Sequence, residues 1–478
     1  MESLTSIRFL AYTSSECLGM NCHRQAPGRK VARASYSVGC DPLASSRLPD
    51  ETSRWYSLMK NAVGTTVISH GQIVDGTGAA PIPHGTVVIQ DGRLTYVGPE
   101  VGAPAVPPDA KRIDSRGGTI MPGLIEAHFH PTYFNVAALE DLDIKYPVEY
   151  VTILAACNAK LALECGYTAA RSGGSLFNID VWLKKAIEKD LVPGPRMASS
   201  GREICGVGGL MDWNPDYRKI GMEGLVLLVN GPDEARSAVR KLVKDGIEWV
   251  KTYPTGDAAA PDANDHHTLC MTFEEMHAVV ATAHNHNLKV TGHCRATEGI
   301  KNALRAGYDA IEHGTFMDDE AMDLLLARDV PVVPALYFEL ASIEKGPEFG
   351  LGQKVIDGHQ ETLDGGAESA RRILKEGGRL GMGGDYGFAW NPHGDYAREL
   401  SFFVNYVGFT PLQTIMCATK TGAEILCRSH EIGTLEVGKL ADVLIVDGDV
   451  VKDITLLEKR DRFIGVMQGG IIKAGQLA

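Results

Sequence analysis

The stretch Met121-Pro122-Gly123-Leu124-Ile125-Glu126-Ala127-His128-Phe129-His130 decides how this chain is read. It is an apolar run ending in two histidines two residues apart. Side chains of a strand alternate between faces, so His128 and His130 fall on the same side. Two imidazoles so placed suit a divalent metal, although two unrelated core histidines fit the spacing equally well. Downstream, short β-branched runs alternate with helical patterns. Strand candidates end at His130, Arg171, Gly201, Tyr253, Cys294, Thr315, Tyr337 and Tyr386. Helical periodicity occupies residues 234–244, 273–286, 297–306 and 365–376 between them. Each connection is long enough for a right-handed crossover. Eight such units over about 300 residues predict a (β/α)8 TIM barrel.

Residues able to do chemistry recur at the carboxyl ends of these strands. Strand four reads Trp249-Val250-Lys251-Thr252-Tyr253. A lysine between large apolar neighbours is costly to bury as an ammonium. A neutral amine there can take up carbon dioxide as a carbamate able to bridge two metals. Alternatively, Lys251 snorkels out of the strand end. Strand five ends in Gly292-His293, strand six in Glu312-His313, and strand eight in Gly384-Asp385. Each has a bland reading alone, but together they cluster where barrel enzymes place their sites.

Outside the barrel, Thr65–Ser69 opens a set of short strands. Val87–Ile89 and Leu94–Val97 flank Asp91-Gly92, a hairpin signal. Asp442–Val446 and Ile464–Met467 read the same way at the far end. The division expected is 1–63 as a poorly ordered N-terminal extension, 64–118 with 432–478 as a small β-sandwich built from both chain ends, and 119–431 as the catalytic barrel.

Composition narrows the function classes. The 478 residues carry 47 basic and 60 acidic side chains, a net charge of −13, with 44% hydrophobic residues. An acidic chain without basic tracts is a poor partner for nucleic acid or an anionic membrane. No run of about 18 apolar residues predicts a spanning helix. Ten scattered cysteines with no Cys-x-x-Cys motif read as reduced thiols in a cytoplasmic protein. Residues 1–58 differ, with a local charge of +2 against −15 for the remainder.

On these residues the chain resembles the amidohydrolase superfamily over about residues 64–476. Met121–Ile125 before the first histidines and Gly433-Thr434-Leu435-Glu436-Val437-Gly438-Lys439-Leu440-Ala441-Asp442 opening the second β segment are further features of the resemblance. It implies two divalent cations (zinc first, cobalt or manganese next). His128, His130 and Asp385 would hold the more buried ion and His293 and His313 the more exposed one, with carboxylated Lys251 bridging. It also implies hydrolysis by a metal-activated hydroxide, with Asp385 as catalytic proton acceptor. Homo-oligomers and a small-molecule substrate are expected.

Residues 384–394 resemble those of the phenylurea and molinate hydrolases, so a urea, carbamate, thiocarbamate or N-acyl carbonyl–nitrogen bond is the expected target. Some phenylurea hydrolases carry Asn in place of the first strand-one histidine. His128 departs from that and favours a complete two-metal site. A prolidase-like dipeptidase, an N-acyl amino acid hydrolase, a lactonase or phosphotriesterase, and a non-catalytic scaffold stand as alternatives; Lys251 counts against a deaminase. Tyr253, Tyr337 and His393 are the expected substrate contacts, with Arg171 and Arg202 as candidate carboxylate anchors. His266 and His267 read as solvated loop residues.

Overall fold

A computed structural model of the chain describes residues 64–213, 224–260 and 264–478. The N-terminal extension expected at 1–63 lies outside them. The first strands are β1 (Thr65–Ile73), β2 (Ile82–Gln90), β3 (Arg93–Pro99), β4 (Lys111–Asp114) and β5 (Thr119–Pro122). Asp91 and Gly92 turn β2 into β3 with positive φ at both positions, 49° and 80°, as a type I′ hairpin requires. β1 pairs with β2 along one edge. Its other edge divides at His70 (φ 63°), residues 66–69 meeting β4 and residues 72–73 meeting β5.

The barrel follows. Its strands are β6 (Leu124–Phe129), β7 (Tyr167–Ser172), β8 (Arg196–Ala198) with its continuation β9 (Glu203–Gly206), then, past the side strand β10 (Val226–Val229), β11 (Trp249–Thr252), β12 (Lys289–Cys294), β13 (Ala310–His313) and β14 (Val332–Val333). All pairings among them are parallel. Residues 380–385 serve as the eighth strand. The Gly381 N–H donates to Val332 O at 2.8 Å, and the Ala127 N–H donates to Met382 O at 2.9 Å. Ser199 O accepts from the Glu248 and Trp249 N–H groups, joining β8 to β11. The sheet therefore closes, as a TIM barrel must. Ile125, Ala127, Ala169, Ala198, Trp249, Ala310 and Val333 form one buried cluster. They precede the site residues of their strands and floor the chemistry.

The chain then returns through β15 (Val443–Val446), β16 (Phe463–Gln468) and β17 (Ile471–Ala474), and β15 lies antiparallel to β5. Both chain ends thus share one eight-stranded sheet around Ile68, Ile73, Val87, Ile113, Ile120, Val443 and Ile445. Asp442 of the Gly433–Asp442 motif ties this sheet to β8. Its carboxylate accepts from Arg196 Nε and Nη2 at 2.8 and 3.1 Å.

Strand seven differs from the sequence reading. It stops at Val333, and Tyr337 sits in the first turn of the helix Leu336–Lys345. The cause is remote: the buried Glu399 carboxyl group accepts the Leu336 and Tyr337 N–H groups at 3.0 and 2.7 Å, satisfying donors that a helix start leaves open. Among the described residues no helix is long and apolar enough to cross a membrane.

Candidate metal centre

β6 delivers His128 and then His130, β12 delivers His293, β13 delivers His313, and the eighth strand delivers Asp385. His128, His313 and Asp385 offer ligand atoms within 4.8 Å of one another. His130 Nε2 lies 3.4 Å from Asp385 Oδ1, and the His293 and His313 rings are 4.4 Å apart, centroid to centroid. His313 and Asp385 both take left-handed backbone conformations, φ 65° and 52°. Such strain in non-glycine residues persists where surrounding structure over-determines it, commonly at functional sites. Gly173 gives the two β6 imidazoles room, since a Cβ there would stand 2.6 Å from His128 Cδ2 and 2.7 Å from His130 Nε2.

Burial dominates the electrostatics. It lowers His293 to about 3 and holds His128, His130 and His313 well below the usual imidazole range. All four rings are therefore neutral, the form in which imidazole ligates a metal. Burial also pushes the Asp385 carboxyl up to about 7. Both ring nitrogens of His128 and of His313, Nδ1 of His130 and Oδ1 of Asp385 are buried without a hydrogen-bond partner. Buried polar atoms are ordinarily paired, so this donor set fits divalent cations.

Lys251, only 1% exposed, makes an ion pair with Glu312. The other Glu312 oxygen accepts from Arg171 Nη2 at 2.6 Å. Burial works against the Glu312 anion, yet the Lys251 and Arg171 cations beside it hold its carboxyl well below the usual range. This ion pair and a Lys251 carbamate exclude each other, because the amine must first lose its proton.

Buried acidic side chains lie against the imidazoles. Glu203 accepts from the Tyr253 hydroxyl at 2.7 Å, and its other oxygen lies 3.8 Å from His130 Nδ1; burial raises it to about 8. Asp257 lies 3.4 Å from His293 Nε2 and accepts from Arg295 Nε at 2.6 Å. Burial would raise Asp257, but Arg295 keeps it below the usual carboxylate range. Arg295 also pairs with Glu339 at 2.7 Å, and Glu339 with His359 at 2.6 Å. Partners of this kind orient metal ligands.

A cavity of about 50 Å³ opens onto His128, His130, Lys251, His293 and Asp385. Tyr133, Tyr253 and Asp257 share its wall with Leu139, Leu142, Leu210, Met211, Phe338 and Phe388. Larger clefts of about 260–280 Å³ lie elsewhere and contain none of the five.

Tyr253 is thus where the sequence puts it, but two other expected substrate contacts are not. Tyr337, on its helix, accepts from Arg398 Nη1 at 3.1 Å. His393 has both ring nitrogens engaged, Nδ1 with the Tyr396 hydroxyl (2.8 Å) and Nε2 with Tyr133 O (2.9 Å). It braces Tyr133, whose ring stacks on His130 at 4.0 Å. Arg171 is committed to Glu312, and Arg202 donates to Val226 O at 2.9 Å, so neither stands as a free anchor. His266 is buried rather than solvated, and both His266 and His267 bond Glu361. Glu312 was legible as a polar residue in a buried strand. Nothing local marks Glu203, Asp257, Glu339 or Tyr133, which reach the site from other strands and loops.

A family model, the amidohydrolase family, matches residues 119–473. Ochratoxinase of Aspergillus niger is 26% identical over 440 residues, covering 86% of this chain and 87% of that protein. The crystal structure of a Xaa-Pro dipeptidase with bound methionine in its active site superposes with a TM-score of 0.76 at 28% identity, over 85% of this chain and 99% of that one. Phenylurea hydrolase B shares the fold, with a TM-score of 0.66 at 18% identity over 85% and 96% of the two chains.

Proposed function

Because the chain belongs to the amidohydrolase family and is a hydrolase of that superfamily, we propose that it cleaves the carbonyl carbon–nitrogen bond of a urea, carbamate, thiocarbamate or N-acyl compound bearing an apolar group. The observation that carries this reading is the set of unpartnered imidazole nitrogens and carboxylate oxygen at the wall of a cavity otherwise lined by Leu, Met and Phe. His128, His130 and Asp385 would hold one divalent cation and His293 and His313 a second, with Lys251 as the bridging carbamate. When bound, the cations supply Lewis-acid activation of water and of the substrate carbonyl.

The chain's own residues do the rest. Asp385 Oδ1, free of any hydrogen-bond partner, takes the proton of the attacking water and returns it to the leaving nitrogen, a transfer worth about 10²–10⁴-fold in rate. Leu139, Leu142, Leu210, Met211, Phe338 and Phe388 receive the apolar group and exclude water around the reacting carbonyl. The Tyr133 ring stacked on His130 and the Gly256 carbonyl 3.1 Å from His293 Nε2 fix the orientation of the two rings.

A dipeptidase activity is the second reading, supported by likeness to the Xaa-Pro dipeptidase. The test is a turnover screen of metal-loaded protein on arylureas, thiocarbamates, N-acyl amino acids and dipeptides. Amine release from the first three classes is expected, and turnover of dipeptides alone would overturn the proposal. Lys251→Ala should lose bound metal and turnover together, and near-native values for both would remove the bridge.

A further inference from the structure

The loop following β11 carries a second group of metal-type side chains that hydrolysis leaves unused. His266 Nε2 lies 3.2 Å from one oxygen of Glu361, and His267 Nε2 lies 3.0 Å from the other. Glu361 belongs to the helix Gln353–Lys375, so the three residues join two separate elements. One ligand atom from each falls within 4.8 Å of the others. His266 is 8% exposed, and its Nδ1 is buried with no hydrogen-bond partner.

Packing sets both rings before any ion arrives. Their centroids are 4.4 Å apart, and Phe316 lies 5.7 and 4.9 Å from them. Gly358, three residues before Glu361, lets the helix close on the loop. A Cβ there would stand 3.2 Å from Ala258 Cβ and 3.4 Å from His266 Cε1. A tetrahedral zinc with bonds of about 2.0–2.1 Å separates its donor atoms by about 3.3 Å. The two His–Glu separations are near that size but run to different Glu361 oxygens, and one donor atom from each residue falls within 4.8 Å of the others, so an ion draws the three together by about 1 Å.

We propose that His266, His267 and Glu361 form a peripheral site for a divalent transition metal, distinct from the catalytic set, which pins this loop to the helix. Two imidazoles and one carboxylate select zinc, cobalt, nickel or copper over magnesium or calcium. Water completes the coordination, because His267 and Glu361 face solvent. The same loop carries Asp257, Ala259 and Ala260, which wall the catalytic cavity. Occupancy therefore firms that wall and acts on substrate affinity rather than on the chemical step.

The test counts metal. Full-length protein, His267→Ala and Glu361→Gln are dialysed to equilibrium against zinc, and bound metal per chain is measured by atomic emission. Both substitutions are at exposed positions, where changes in stability are ordinarily small. Each variant should hold one equivalent fewer than the wild type, and zinc should raise its melting temperature less. With a hydrolysed substrate in hand, KM should rise several-fold in the variants while kcat stays within about twofold. Equal metal content in all three proteins would overturn the proposal and leave Glu361 as a hydrogen-bond acceptor for two histidines. His128→Ala separates this inference from the catalytic reading: it should lose metal from the catalytic set and keep the peripheral equivalent.

Discussion

Replacing Glu312 by Gln preserves shape and removes one charge, and the structure gives the size of the effect. Glu312, Lys251 and Arg171 are at most 1% exposed. One Glu312 oxygen serves Arg171 at 2.6 Å and the other serves Lys251. In the metal-free protein the Glu312→Gln substitution would leave two cations buried without a counter-charge. Breaking one buried pair costs about 3–5 kcal/mol. An unfolding entropy of about 2.1 cal/mol/K per residue, taken over residues 55–478, gives about 0.9 kcal/mol/K. The expected fall in melting temperature is therefore about 3–6 °C. The assay is calorimetry of chelator-treated wild type, Glu312→Gln, Lys251→Met and the double variant at one scan rate. The double variant should melt above Glu312→Gln, because it buries one uncompensated cation fewer. A Glu312→Gln protein melting within about 1 °C of the wild type would refute the buried ion pairs as the source of that stability.

Glu399, which starts the helix Leu336–Lys345, gives a pH signature. Burial raises its pKa to about 8 from an ordinary 4.5, so the folded state holds a proton that the unfolded chain releases earlier. The stability it contributes is complete below about pH 4.5 and is lost as pH rises through about 8. Urea midpoints between pH 5 and 8 should fall less steeply for Glu399→Gln than for wild type, and parallel curves would contradict the assignment. Gly173→Ala places a methyl group 2.6 Å from His128 Cδ2 and 2.7 Å from His130 Nε2. Bound metal per chain should fall sharply while the protein stays folded by circular dichroism, and full metal content would show that the imidazoles have slack.

Several parts of this protein were legible from sequence alone because they depend on local physics. Period-2 alternation put His128 and His130 on one side of a strand. Asp91-Gly92 carried its hairpin through the φ values that only such residues adopt easily. Alternating strands and helices of adequate length leave a closed parallel barrel as the economical solution. The expected ligands sit at strand ends, which is why they read as a set before any coordinates.

What sequence could not decide was set by contacts between distant segments. Strand seven ends early because Glu399, 63 and 62 residues away, satisfies the amides of Leu336 and Tyr337. His393 turns from substrate contact to brace because both its nitrogens are engaged by Tyr396 and Tyr133. Lys251 meets Glu312 across 61 residues, and His266 and His267 find Glu361 across about 95. Backbone dihedrals and side-chain period are properties of neighbours in the chain, so sequence records them. The partner of a buried charge is fixed by which surfaces close against one another, and only the tertiary structure holds that.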